Sequence, residues 1–311
     1  MVAMSDVIDL LAFCRVRDVS WSFVAREAQR PGGLLNLRDC RSSEKGAEAA
    51  ESLQLLHAAR AAMPEHQAWV ARTLETLAGE GVRTTTVLDE DYPANLRVIF
   101  NLPPFLFYRG SLQDDDARSV AIVGTRDASR AGVDEAAALA KALTECGVTV
   151  LSGLAKGIDT AAHRSTLEAG GRTIAVMGTG IRTVYPAENR DLAAEIIERG
   201  AVVSQFWPDT PPRTDTFPRR NVVTSGMSQG TVVVEASATS GAKMQARLAL
   251  QHGKKVFLLS SLVRERDWAR GYLERGAIEV RDVADILERL QTPASVQAKS
   301  DQRRQMTLAL G

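Results

Sequence analysis

From Ser119 onward, the sequence alternates short apolar runs with longer amphipathic segments. Seven runs are brief and rich in β-branched residues: SVAIVG, VTVLSG, TIAVMG, AVVSQF, TVVVEA, KKVFLL and AIEV. Segments such as GVDEAAALAKALTECG separate them and repeat their apolar residues with the spacing of a helix. Strands that alternate with helices of about 10–15 residues form βαβ units. The sequence therefore predicts an α/β fold with a doubly wound, mostly parallel sheet.

The N-terminal part follows a different pattern, because its apolar residues recur with helical spacing. Helices are predicted at DVIDLLAFCRV, at WSFVAREA and from Glu48 to Leu77, with Pro31-Gly32-Gly33 breaking the first group. A connector places prolines among apolar residues and is expected to be ordered and packed on the core domain. We expect a small helical N-terminal domain, a core domain whose first part is the connector, and a loose polar tail, at residues 1–80, 81–290 (connector 81–117) and 291–311.

Composition excludes several classes of protein. Lys plus Arg number 38 and Asp plus Glu number 38, so a polybasic protein is excluded, although a local basic groove is compatible with this balance. Cys14, Cys40 and Cys146 form no CxxC pair, which argues against a zinc site or a disulfide framework. We expect no bound metal.

The first residues favour a cytoplasmic protein. Asp6 and Asp9 stand where a secretory signal peptide carries Lys or Arg. No apolar run reaches the roughly 18–20 residues that a bilayer-spanning helix needs. The sequence predicts a soluble cytoplasmic protein that does not enter a membrane.

Small and hydroxyl-bearing residues follow the predicted strands. In an open parallel sheet, ligands bind beyond the carboxyl ends of the strands. Glycine at these ends lets a phosphate approach the backbone, and a following helix offers N–H groups to it. We therefore predict a phosphate-binding edge, with candidate residues Gly124, Ser152, Gly153, Gly157, Gly178, Gly180, Ser240 and Gly241.

Four cationic residues belong to the same predicted edge. Arg126 follows the glycine after the first core strand, and Lys156 lies in SGLAKGID after the second. Arg219 and Arg220 stand at a later helix start. Together these cations would neutralise successive phosphates of a nucleic-acid strand. Which of the two adjacent arginines faces the ligand is open, because one residue along a helix turns a side chain by about 100°.

Several neighbouring residues have two interpretations each. Phe217 and Tyr185 either stack bases or pack within the loops. Asp159 either caps its helix or accepts a hydrogen bond from a loop N–H. Asn221 and Ser240 either bind phosphate or tie a loop to the core.

No catalytic constellation stands out. Residues 226–230 match GxSxG but lie between a helix and a strand, the reverse of a nucleophile elbow, and 240–243 match SxxK without partner motifs. Glu235 follows a strand, where a lone carboxylate binds a ribose or acts as a base, and His163 is expected to pack within the domain. The first turn, GTRDASRAG, is not GxGxxG, and no GxxxxGK[ST] occurs. We expect no cofactor and no enzymatic activity.

Five motifs occur in a distinctive order: VGTRDASRAG, SGLAKGIDTAAH, TIAVMGTGIRTVYPAEN, FPRRN and VVVEASATSGA. Over about residues 81–280, this series resembles the DNA-processing protein A family (DprA, also called Smf), of which the chain looks like a divergent member. The resemblance implies an extended Rossmann-like domain that binds single-stranded DNA as a homodimer. It further implies protection of incoming single strands in natural transformation and loading of the recombinase RecA.

The resemblance also implies site residues. The family's DNA-contacting arginine and lysine match Arg126 and Lys156. Its F-P-x-R-N arginine and asparagine match Arg220 and Asn221, and its serine-glycine pair matches Ser240-Gly241.

The chain departs from the family pattern at a few positions. Gln205 stands where the family usually has glutamate, Lys243-Met244-Gln245-Ala246 replaces a stretch ending in Thr-Ala, and Ser260-Ser261 replaces Pro-Gly. We expect no winged-helix domain of the kind that many members carry after residue 290. The resemblance therefore supports DNA binding more strongly than RecA loading.

Two other functions stay open at this stage. Related Rossmannoid domains bind free nucleotides, so the altered residues Gln205 and Lys243 are compatible with a nucleotide-binding sensor or a hydrolase-like protein of a defence system. The second of these other functions is that of an interaction scaffold that uses its helical N-terminal region.

Overall fold

The computed structural model describes residues 2–309, with side chains as far as residue 306. The chain divides into two compact units. Of the described residues, one unit contains 2–92, 97–107 and 298–309, and the other contains 93–96 and 108–297.

The first half of the fold begins with helices. The elements up to the end of the connector are α1 (Met4–Arg15), α2 (Trp21–Ala28), α3 (Gly33–Arg38), α4 (Ala47–Ala58), α5 (Met63–Gly79), β1 (Arg83–Thr86), α6 (Ala94–Arg97) and β2 (Phe105–Gly110). Leu10, Leu11 and Phe23 are fully buried on the apolar faces of α1 and α2. Ser20 caps α2 by accepting a hydrogen bond from the Phe23 N–H at 3.2 Å. The predicted helical N-terminal region is confirmed.

The segment predicted as one long stretch from Glu48 to Leu77 forms two helices, α4 and α5. A short 3-10 turn at Arg60–Ala62 separates them. Pro64 lies in the first turn of α5, where its missing N–H costs no intrahelical hydrogen bond.

The remaining elements alternate as the sequence predicts. They are β3 (Ser119–Val123), α7 (Arg130–Glu145), β4 (Thr149–Ser152), α8 (Ile158–Glu168), β5 (Thr173–Val176), α9 (Arg190–Arg199), β6 (Ala201–Ser204), α10 (Thr216–Met227), β7 (Gly230–Val233), α11 (Gly241–Gln251), β8 (Lys255–Leu259), α12 (Ser260–Glu265), α13 (Asp267–Leu273), β9 (Ile278–Val280), α14 (Val283–Leu287) and α15 (Pro293–Ala309). Short 3-10 turns at Asp114–Ala117 and Ala187–Asn189 precede β3 and α9.

The strands form one sheet in the order β1-β2-β6-β5-β4-β3-β7-β8-β9. From β3 to β9 the described pairs are parallel. The chain runs outward from β3 through β4, β5 and β6 on one side, and through β7, β8 and β9 on the other. Strand order therefore reverses at β3, which is where ligands bind in sheets of this kind. The predicted doubly wound, mostly parallel sheet is confirmed.

Both faces of the sheet are buried. Val232 packs in a cluster with Leu139 and Ile158, whereas the next residue, Val233, packs in a second cluster with Leu262. Successive side chains of a strand point to opposite faces, so helices cover both sides of β7.

Two features differ from the sequence-based prediction. The connector supplies two strands of the sheet, β1 and β2, which its proline-rich pattern did not predict. The expected loose tail from residue 291 instead contains α15, because Val296 and Ser300 are buried and Thr292 accepts a hydrogen bond from the Ser295 N–H at 3.3 Å. Residues 310–311 of that tail lie outside the described residues. No helix within residues 2–309 has both the length and the apolar character to cross a bilayer.

Candidate nucleic-acid interface

A cavity of about 330 Å³ lies at the carboxyl ends of β3 and β4. The loops after these two strands, α10 and the start of α11 form its walls. Seven of the residues proposed from the sequence line it: Gly124, Arg126, Gly153, Arg220, Asn221, Ser240 and Gly241. Six others are not among its lining residues: Ser152, Lys156, Gly157, Gly178, Gly180 and Arg219.

Arg220 joins two strand ends beneath this cavity. Its guanidinium is buried, and Nη1 donates to the Val176 carbonyl oxygen at 2.9 Å and to the Gly153 carbonyl oxygen. Its Nε donates to Oδ1 of Asn221 at 3.1 Å. Burial lowers the pKa of Arg220, an effect that the nearby Asp159 opposes. Arg220 therefore holds the ends of β4 and β5 in place and brings a positive charge to the cavity wall.

Asp159 organises the loop after β4. Its Oδ2 accepts hydrogen bonds from the N–H groups of Gly153 at 3.1 Å and Ala155 at 3.3 Å. Burial raises the pKa of its carboxyl, while the charge of Arg220 acts in the other direction. Of the two interpretations from the sequence, the structure shows the one in which Asp159 binds the loop.

Arg126 is the exposed cation of the cavity. Its guanidinium carbon lies 5.0 Å from the centre of the Phe217 ring, in the geometry of a cation–π contact. The Phe217 ring lies 6.0 Å from the ring of Tyr185, with 47° between the ring planes. Phe217 is half-buried, whereas Tyr185 is 45% exposed. The three side chains form a cationic and aromatic row, hereafter the Arg126–Phe217–Tyr185 row.

Lys156 extends toward another charged partner. Its Nζ lies 2.5 Å from Oε1 of Glu188, and both side chains are exposed. This hydrogen bond raises the pKa of the lysine ammonium. Lys156 is thus at the predicted edge, with a carboxylate as its present counterion.

The structure distinguishes the two adjacent arginines. Arg220 lines the cavity, while the guanidinium of Arg219 lies 5.1 Å above the Phe206 ring. Gln205, one of the departures from the family pattern, donates to the Arg219 carbonyl oxygen at 2.6 Å. An ionised glutamate has no hydrogen to donate there, so this contact requires the amide.

Most of the predicted glycines are explained by packing of the protein itself. A Cβ at Gly124 would stand 2.3 Å from Ile158, and one at Gly178 would stand 2.7 Å from the Phe217 ring. Gly180 lies against backbone oxygens of residues 207 and 208, and Gly157 lies against those of residues 125 and 126 at a φ of +75°. Protein atoms therefore fill the position that a side chain at these glycines would need, and the approach of a phosphate to their backbone stays a prediction. Among the predicted glycines, Gly241 has open space around it.

The other polar candidates make structural contacts. Ser152 donates to the Ile122 carbonyl oxygen at 2.6 Å, and Ser240 caps α11 by accepting from the Ala242 N–H at 3.0 Å. Glu235 accepts from both the N–H and the hydroxyl of Ser129, at 3.0 and 2.9 Å. The buried His163 ring lies 2.7 Å from the Thr173 hydroxyl, and burial lowers its pKa to about 3.

One lining residue stood out in the sequence only as a departure from the family pattern. Gln245 lies on α11 and is 2% exposed. It stands four residues after Gly241, which places both residues on the same face of the helix. That spacing is the signal that would have found it.

This geometry defines the class of protein. It is a Rossmann-like α/β domain with a cationic cavity near the point where the strand order reverses. Residues 83–291 match the family described as DNA recombination-mediator protein A. Since this match spans more than half of the chain, the protein belongs to that family, and the resemblance seen in the five motifs is confirmed.

Curated relatives carry related names. The chain is 40% identical over 205 residues to Protein Smf of Escherichia coli strain K12, a match that covers 65% of this chain and 55% of that protein. It is 36% identical over 204 residues to DNA processing protein DprA of Streptococcus pneumoniae, covering 65% and 72% of the two chains. The chain thus spans just over half the length of the Escherichia coli protein.

Solved structures share the fold. The structure of DprA from Streptococcus pneumoniae superposes with a TM-score of 0.73 and 26% identity, over 94% of this chain and 99% of that one. A second structure gives insight into the single-stranded DNA binding mode of DNA processing protein A from Helicobacter pylori. It superposes with a TM-score of 0.59 and 26% identity, over 67% of this chain and 94% of that one.

Proposed function

We propose that this protein binds single-stranded DNA through the cavity at the ends of β3 and β4. The observation that carries the proposal is the convergence of Arg126 and Arg220 on one cavity of about 330 Å³ at the strand reversal. Cations placed together attract phosphates, and the first turn of α11 adds N–H groups at the same cavity. The single-stranded DNA binding mode of the Helicobacter pylori protein supports the same ligand class.

The Arg126–Phe217–Tyr185 row favours a single strand over a duplex. Tyr185 is 45% exposed and adjoins the Phe217 ring, so its face is available to an unstacked base. Base–aromatic stacking needs bases that are not already stacked in a duplex. Single strands therefore gain a contact that double strands lack.

The affinity of this site for DNA depends on nearby cations rather than on the charge of the whole protein. The net charge is zero, so the affinity depends on a few cations near the cavity. Each phosphate contact contributes about 0.7 to the slope of log affinity against log salt for a single strand. A small number of contacts therefore predicts a shallow but measurable slope.

The test is fluorescence anisotropy with a labelled single strand and a duplex of the same sequence across a salt titration. Arg126→Ala with Lys156→Ala should weaken single-strand binding and lower the slope by about 0.7 for each lost contact. The matched control is Lys141→Ala with Arg164→Ala, which removes two exposed cations of α7 and α8. The proposal is wrong if the first double variant binds like its control at every salt concentration.

The proposal extends to strand protection and RecA loading by a cytoplasmic homodimer. Its support is the membership of the recombination-mediator family and the resemblance of the motifs. RecA assembly on strands covered by single-strand binding protein, measured with and without this protein, tests the loading step, and sedimentation tests the dimer. If this protein binds free nucleotides in a calorimetric screen but binds no oligonucleotide, the result would support the nucleotide-sensor interpretation instead.

A further inference from the structure

Helix α11 begins at the candidate interface and runs from the carboxyl end of β7 toward the amino end of β8. Its first residue, Gly241, lines the cavity, and a side chain there would meet open space. Met244 and Arg247 follow at intervals of three residues, and residues spaced in this way form one ridge of a helix surface. At about 1.5 Å per residue, this Gly241–Met244–Arg247 row extends about 9 Å along the helix.

The row faces solvent. On the opposite side of α11, Ala242, Ala246 and Ala249 pack into an apolar cluster of the core. Met244 is 51% exposed, which leaves a large apolar side chain in contact with water. Arg247 is also exposed, and its side chain forms no ion pair or hydrogen bond within residues 2–309. Both side chains are therefore accessible to a ligand that lies on the helix.

The charge of this region suits a polyanion. Helices α10 and α11 both border the cavity and together carry four cations, and neither contains an Asp or a Glu. Since the whole chain has no net charge, this is a local excess of positive charge. Lys243 stands one helical turn before Arg247, with its Nζ 5.7 Å from the centre of the Trp268 ring. Phosphates are thus attracted along α11, beyond the arginines of the cavity.

Met244 supplies an apolar contact beside these cations. A thioether side chain is flexible and polarisable, and it packs favourably against aromatic rings. Every nucleobase has an aromatic face, so such a contact does not depend on the identity of the base. Cations, an exposed thioether and continuity with the cavity together favour a nucleic-acid strand as the occupant of the row.

We propose that the Gly241–Met244–Arg247 row binds the part of a single DNA strand that continues beyond the cavity. Arg247 contacts a phosphate, and Met244 packs against a base. The inference rests on the proposed function, because the cavity holds the first part of the same strand. A stacked strand advances about 3.4 Å per phosphate, so 9 Å of helix covers about two to three nucleotides. Strands that reach α11 therefore bind more tightly than strands that only fill the cavity.

Oxidation of methionine tests where the strand lies. Dilute hydrogen peroxide converts exposed methionines to the sulfoxide, and mass spectrometry measures the rate at each position. Saturating oligothymidylate of about ten nucleotides should slow the oxidation of Met244 about threefold, whereas one of about three nucleotides should leave its rate unchanged. Met4 and Met306, which are 65% and 53% exposed, are internal controls whose rates should stay the same.

A substitution at Arg247 tests the phosphate contact. Arg247→Ala should weaken anisotropy-measured binding of the longer strand about fivefold at low salt and lower its salt slope by about 0.7. Binding of the shorter strand should not change. The matched control is Arg164→Ala, which removes an exposed cation of α8 and should leave both affinities as they are. Equal melting temperatures establish that both variants are folded.

Each outcome decides the question. If the longer strand binds but Met244 is oxidised at the rate of the free protein, the strand leaves the cavity elsewhere and the proposal is overturned. The row would then be open to another partner, such as an acidic protein surface. Equal binding of the longer strand by Arg247→Ala and its control also overturns the proposal. If no single strand binds at low salt, the proposed function fails and this inference fails with it. The oxidation measurement needs only the natural protein, so it decides even if the variant does not fold.

Discussion

The guanidinium of Arg220 occupies the space that a side chain at Gly153 would require. A Cβ on Gly153 would stand 1.8 Å from Nη1 of Arg220, which donates to the carbonyl oxygen of that same glycine. Gly153 thus leaves room for the guanidinium of Arg220, and the hydrogen bond between the two residues supports the wall of the cavity.

Gly153→Ala should therefore destabilise the fold. The methyl group displaces the Arg220 guanidinium, which loses its hydrogen bonds to the carbonyl oxygens of Gly153 and Val176. Because hydrogen bonds of charged groups are among the stronger ones, we expect the free energy of unfolding to fall by about 2–3 kcal/mol in urea denaturation. Gly241→Ala is the control, since its Cβ meets open space, and should change stability by no more than about 0.5 kcal/mol. Equal stabilities of the two variants would contradict this account.

Glu188→Gln should strengthen single-strand binding. The Glu188 carboxylate neutralises Lys156 at 2.5 Å, and it repels phosphates that approach the edge. Removing this charge should raise the affinity about twofold to fivefold at low salt, with the gain vanishing at high salt as screening increases. Anisotropy at two salt concentrations measures both effects.

The control for this prediction is Glu145→Gln. Glu145 pairs with Lys141 on α7 at 3.9 Å, and both side chains are exposed. It removes the same charge from an exposed pair on α7 that contains none of the cations proposed to bind DNA, so affinity should change little. An equal gain in both variants would indicate a general charge effect rather than release of Lys156.

Tyr185→Ala and Phe217→Ala should separate base stacking from packing. Tyr185 is exposed, so its loss should weaken single-strand binding about fivefold to tenfold and leave the melting temperature unchanged. Phe217 fills the space beside Gly178 and supports Arg126, so its loss should lower the melting temperature as well as the affinity. Unchanged affinity in Tyr185→Ala would remove base stacking from the proposed interface.

Lys254 should make stability depend on pH. Its side chain is half-buried and its Nζ donates to the Asn95 carbonyl oxygen at 3.0 Å, and the loss of hydration lowers its pKa from 10.5 to about 7. Between these two values the unfolded chain binds the proton and the folded chain releases it, so stability should rise with pH from about 7 toward about 10. Lys254→Met should flatten that rise.

Denaturation at a series of pH values above 7 measures this slope. Burial lowers the pKa of His252 to about 4, so above pH 7 its ring is neutral in the folded state and does not contribute to the slope. Lys255→Met, a change at the exposed neighbour, should retain the slope of the natural protein. The same slope in Lys254→Met would show that Lys254 keeps its charge throughout this range.

Much of the site could be anticipated from the sequence. Arg126, Gly153 and Arg220 follow or face the ends of parallel strands, and those ends must meet at one edge of the sheet. The sequence left open which of Arg219 and Arg220 faces the cavity. That choice depends on the rotation of α10, which is determined by contacts with residues far along the chain, such as Gly153.

Other features were hidden from the sequence for similar reasons. The amide of Gln245 has no hydrogen-bond partner within the described part of the chain, and residue order does not record how α11 packs against the cavity wall. The strand β1 has the sequence RTTT and becomes a strand through its place in the sheet. In α15, Val296 and Ser300 are buried although the segment is polar in composition.

The alternation of strands and helices, the parallel sheet and the edge at which cations gather could all be read from the order of the residues. These features follow from local periodicity and from the small set of ways in which βαβ units can connect. Three-dimensional packing was needed to establish which atoms occupy the positions where a side chain at each glycine would lie, and that Lys156 pairs with Glu188. It was also needed to show that the buried amide of Gln245 has no hydrogen-bond partner among residues 2–309. Those outcomes depend on contacts between residues distant in the chain, because packing brings together groups that periodicity does not relate.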